Sequence, residues 1–132
     1  MKLHAIALAA LLLAAAARAA VACELPAGDE PVTGGDGLTL SYRSDPPGLV
    51  VDRHFALIVH ICSSVPVTSV SVDAHMPEHR HGMNYKTTVT RLPSGAWRAE
   101  GLLFHMPGKW EIVLGIGGER GVRRVTHTIL VS

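Results

Sequence analysis

A chain of 132 residues in which 48% of the side chains are hydrophobic and only 17% charged can bury one sizeable core and does not have the composition of a disordered protein. Its length suits one domain rather than two. A formal charge of +1 with no run of Lys or Arg argues against nucleic acid, or a membrane surface held by charge, as a partner.

Residues 1–22 read as a secretory signal peptide. Lys2 precedes an apolar Ala- and Leu-rich run from His4 to Ala17, and small residues close it at Ala20-Val21-Ala22. The run is shorter than the roughly 20 apolar residues a spanning helix needs, and Arg18 interrupts it. The expected destination is outside the inner membrane, in the periplasm or another extracytoplasmic space. Loss of Lys2 and Arg18 would take the remainder to a formal charge of −1. Cys23 and Cys62 stay with it, and an oxidising compartment favours joining them as a disulfide. Two other readings of Cys23 stand beside that one. It could be lipid-anchored, although Ala20 and Arg18 make a poor lipoprotein signal, or it could be a thiolate ligand for a soft metal.

Residues 23–37 are rich in Pro, Gly, Asp and Thr and predict an extended, loosely held arm. Seven short apolar or alternating runs follow: Leu38–Ser44, His54–Cys62, Val67–Ala74, Thr87–Leu92, Trp97–Phe104, Trp110–Ile116 and Val122–Val131. Turn signals at Asp45-Pro46-Pro47-Gly48, Ser63-Ser64, Pro93-Ser94-Gly95, Pro107-Gly108 and Gly117-Gly118 separate most of them. This spacing predicts an all-β domain over 38–132, an immunoglobulin-like antiparallel β-sandwich of about seven strands. Alternation predicts that Val70, Val72 and Ala74 face inward, and that Val125, His127, Ile129 and Val131 share one face. His127, His54 and His60 then read as strand histidines satisfied within the fold. Trp97 and Trp110 read as large core or rim pieces.

The chemistry concentrates in His75-Met76-Pro77-Glu78-His79-Arg80-His81-Gly82-Met83, and the tripeptide His-Met-Pro returns at His105-Met106-Pro107. On an extended strand His79, His81 and Met83 share a face, and Gly82 permits a bend that lets them converge. A residue before proline is pushed toward extended backbone, which sets how Met76 and Met106 leave the chain. Thioether sulfur is soft and prefers copper(I), while imidazole serves copper in either oxidation state and also zinc. The candidate metal ligands are therefore His79, His81 and Met83, with His105, Met106, Met76 or His75 in support. Each also has a plain structural reading: the methionines as core filling, His75 and His105 as hydrogen-bonded strand-end residues.

The runs Asp73-Ala74-His75-Met76-Pro77-Glu78-His79-Arg80-His81-Gly82-Met83-Asn84 and Gly101-Leu102-Leu103-Phe104-His105-Met106-Pro107-Gly108-Lys109-Trp110-Glu111 resemble the YtkA-like domain family of exported bacterial proteins. The resemblance implies an immunoglobulin-like sandwich and a link to copper handling. A looser similarity to exported copper(I) chaperones implies delivery to a copper-accepting membrane protein, such as a respiratory oxidase or its assembly factor, but their ligand spacing is not reproduced here. The expected function is a copper-binding carrier, chaperone or buffer. The alternative is a metal-free interaction or accessory module of a membrane-associated complex. Catalysis is not expected, because no nucleophile motif is present and Glu78 is the only general-base candidate inside the cluster.

Overall fold

The computed structural model describes residues 22–132. The leader expected over 1–22 lies, apart from Ala22, outside them. Among the described residues nine strands form in the order β1 (Glu30–Gly35), β2 (Leu38–Asp45), β3 (Phe55–Ser63), β4 (Ser69–Met76), β5 (His81–Gly82), β6 (Thr88–Arg91), β7 (Trp97–Leu102), β8 (Gly108–Gly118) and β9 (Gly121–Val131). They build two antiparallel sheets, β1-β2-β3-β7-β6 and β5-β4-β8-β9. All seven expected strands are present, and β1 and β5 are added. Without those two, the order β2-β3-β7-β6 facing β4-β8-β9 is the ABED and CFG arrangement of the immunoglobulin sandwich.

The core lies between the sheets and follows the period of two that a half-buried strand requires. Val70, Val72, Ala74 and Met76 of β4 pack inward, as do Trp110, Ile112, Leu114 and Ile116 of β8 and Leu38, Leu40 and Tyr42 of β2. Trp110 and Phe104 are the largest side chains wholly removed from water. Trp97 is only half-buried, with the Arg91 guanidinium 5.4 Å from its ring centre. That distance suits a cation–π contact at the rim.

The expected loose arm is a correction. Residues 30–35 form edge strand β1, in which Val32 faces the core and Pro31 is tolerated because an edge position leaves no ladder bond to lose. Asp36-Gly37 makes the turn into β2, and Gly35, Asp36 and Gly37 all have positive φ. Asp-Gly between alternating residues is a hairpin signal, masked here by the surrounding Gly and Thr. Residues 23–29 are fastened too. Cys23 is disulfide-bonded to Cys62, and the nearly buried Asp29 carboxylate lies 3.3 Å from His60 Nδ1 and 3.9 Å from Arg43.

The turn expected at Gly117-Gly118 falls instead at Glu119-Arg120. Gly115 and Gly117 stay within β8 because the hydroxyls of Ser71 and Ser69 on β4 occupy the space a Cβ would need.

Three connections meet at one end of the sandwich. The turn Pro77–Arg80 joins β4 to β5, and Glu78 pairs with Lys109 at the start of β8 at 3.1 Å. The β2–β3 loop is tied to the β7–β8 connection by Asp52 N–H donating to Phe104 O at 2.8 Å.

Candidate metal centre

The β4–β5 hairpin sets the first half of the site. Its turn closes with the His79 and Arg80 N–H groups donating to Met76 O at 3.1 and 2.9 Å, and Arg80 takes a left-handed φ of 55°. Only two residue pairs hold β5 to β4, His75 with Gly82 and Met76 with His81. Residues directly opposite each other project to the same face. His81 therefore shares the inner face with buried Met76, while His75 lies on the outer face. There its Nε2 lies 3.2 Å from Oε2 of Glu111, its partner on β8. The structure thus separates His75 from the other candidate ligands.

The β7–β8 connection supplies the second half. His105 follows buried Phe104, and Trp110 Nε1–H donates to Met106 O at 3.0 Å, which pins the segment carrying His105 and Met106. The His81 and His105 ring centres are 5.0 Å apart, and His79 stacks on His81 at 5.7 Å. The His105 ring stands edge-on to Trp110 at 5.4 Å, so the indole forms a dry floor beneath the pair.

Those separations can be compared with metal chemistry. A metal–nitrogen bond of about 2 Å puts the ion roughly 3 Å from an imidazole centre, so two rings sharing one ion have centres roughly 5–6 Å apart. Both histidine pairs fall in that range. His105 Nδ1 is buried with no hydrogen-bond partner, a costly state for a polar atom unless something fills it. His81 Nδ1 lies 3.3 Å from Gly82 O, and the tautomer that donates there leaves Nε2 with a free lone pair.

The thioethers divide. Met83 and Met106 are half-buried at the edge of the core. Met76 is fully buried, with its methyl lying under Gly108 where any Cβ would collide with it. Met76 therefore does the packing work that was its plain structural reading. Among the described residues, no three or more His, Cys, Asp or Glu side chains form a group able to hold a metal ion. The arrangement present is the His81–His105 imidazole pair, with exposed His79 stacked beside it.

Cys62 and Cys23 contribute no thiolate, because each sulfur is bonded to the other. The same bond leaves Cys23 no valence for a lipid thioether. His127 on β9 and His54, which lies just before β3, have their own contacts. His127 Nδ1 is 2.8 Å from the Tyr42 hydroxyl, and the His54 ring packs edge-on against Tyr85 at 4.8 Å. Sequence reasoning read Trp110 as a large core or rim piece and missed its place beneath the histidine pair. The five-residue step from His105 carries no periodic signal that would reveal it.

The fold is an immunoglobulin-like sandwich in which β5 and the β7–β8 connection bring the His81 and His105 rings together at one end. Comparison with family models, with curated proteins and with solved structures finds no match to the chain.

Proposed function

We propose that the chain is an extracytoplasmic copper-binding protein, a carrier, chaperone or buffer that holds copper(I) between His81 and His105 with Met106 and Met83 as the adjacent sulfur donors. The observation that carries this reading is the approach of two imidazoles from separate connections to 5.0 Å, with His105 Nδ1 buried and unpartnered. Soft sulfur beside imidazole favours copper(I) over zinc, calcium or magnesium. Half-exposed ligands suit a cargo that is handed on, because an acceptor needs access to the ion. The resemblance of the two motifs to the YtkA-like family supports the same reading. Delivery to a membrane acceptor such as an oxidase or its assembly factor belongs with it.

The test is a copper(I) titration of the purified protein against a competing chelator. One copper per chain, lost in a His81→Ala, His105→Ala double variant that still folds, is the expected result. No stoichiometric binding would remove the proposal. The second reading, a metal-free accessory module, draws on the lack of a converged three-donor group among the described residues. It predicts that replacing His79, His81 and Met83 together leaves cellular function intact.

A further inference from the structure

Among the described residues the longest strand at a sheet edge is β9. Its eleven residues pair with β8 in one unbroken register, with no bulge to bend the strand away. Among the described residues no strand pairs with its other side. Near the β8–β9 hairpin that side is closed, because Arg123 donates to Gly35 O and Asp36 O and the end of β1 packs on Val125. Further along, β1 and β9 diverge and leave a groove of about 830 Å³ whose wall includes His127 to Leu130. From Thr126 to Val131 there is no Lys, Arg, Asp, Glu or Pro, and Leu130 is 81% exposed. Long, flat, uncharged edges are templates for another strand, and proteins normally block them with charge, proline or a bulge.

The charges across the groove indicate what kind of strand would fit. Asp29 is nearly buried and already faces His60 and Arg43. Glu30 is 55% exposed, and among the described residues His127 Nε2 at 3.6 Å is its only ion-pair neighbour. The Tyr42 hydroxyl lies 2.8 Å from His127 Nδ1. Donation by Tyr42 to Nδ1 selects the tautomer whose remaining N–H, on Nε2, faces Glu30.

We infer that the free edge of β9 over Thr126–Val131 takes up an extended segment of another polypeptide, with a Lys or Arg of that segment paired to Glu30. Backbone ladder bonds supply the affinity, as in other cases of strand addition. Leu130 and the groove wall take an apolar side chain, and Glu30 selects the cation. The inference does not depend on the metal reading, since none of its residues belongs to the His81–His105 cluster.

The probes are two capped octapeptides of alternating sequence, Lys/Val and Glu/Val, titrated into the 15N-labelled protein. The Lys/Val peptide is expected to shift the amides of Thr126, Thr128 and Leu130 and to bind at least tenfold more tightly than the Glu/Val peptide. Glu30→Lys should invert that preference, and Leu130→Lys, which adds a blocking charge, should weaken both. Both positions are exposed, so the variants are expected to fold, and circular dichroism checks this. Equal binding of the two peptides, or shifts confined to other strands, overturns the inference. So does a concentration-dependent dimer that protects the same amides, because the edge would then serve a second copy of the chain.

Discussion

His81 and His105 lie 24 positions apart in the chain, and their rings meet because each is fixed by an independent backbone device. For His81 the device is a two-residue strand pairing, and for His105 it is the indole bond to Met106 O. Removing either imidazole should weaken copper(I) binding at least tenfold, whereas His75→Ala should leave it unchanged, since that side chain faces Glu111 on the outer surface. Chelator competition on the three single variants checks this, and equal losses at all three positions would contradict it. The sequence showed that these residue types cluster. It could not assign faces, because the outward placement of His75 follows from a pairing register that only the folded hairpin defines. Trp110→Ala should cost about 3–5 kcal/mol in denaturant unfolding, as expected for emptying a fully buried aromatic site.

Among the elements, the β4–β5 hairpin and the arm are each secured by one decisive feature. Gly108 has a φ of 130° and lies against the Met76 methyl, so Gly108→Ala imposes both backbone strain and a collision. A loss of about 1–3 kcal/mol in unfolding free energy is expected, typical of overpacking. The arm is bound by a disulfide spanning 39 positions. Loop-closure entropy for that span gives about 4 kcal/mol, so reduction, or a Cys23→Ser, Cys62→Ser double variant, should lower stability by roughly that amount in urea titrations. The pairing was one of the readings open to two cysteines that follow an expected leader. The strand β1 was not legible, because its Gly and Thr content reads as a loop until β2 offers it an edge.

At the scale of the whole molecule, the two sheets are joined across their open side by the Tyr42–His127 hydrogen bond. Burial pushes the Tyr42 hydroxyl well above its ordinary ionisation range, and the Glu30 carboxylate adds to the shift. Below the unfolded value of about 10 both states keep the proton, and stability does not depend on this group. Above it the unfolded chain ionises while the native phenol stays neutral, so stability should fall as pH rises. Urea midpoints between about pH 8 and pH 11 should show that decline, and Tyr42→Phe should flatten it. A slope unchanged by the substitution would assign the alkaline loss to another group. The strand periodicity announced the sandwich, since alternation in β4 and β9 survives intact in the structure. The groove beside β9 had no such signature, because it arises from the divergence of two edges far apart in the chain.

The two indoles occupy unlike surroundings, Trp110 sealed beneath the imidazole pair and Trp97 at the rim under Arg91. Their emission should differ accordingly, blue-shifted from the first and red-shifted from the second. A Trp97→Phe protein would therefore carry a single indole, within ångströms of His105, and quenching of its emission under excitation selective for tryptophan would report events at the cluster without any added dye.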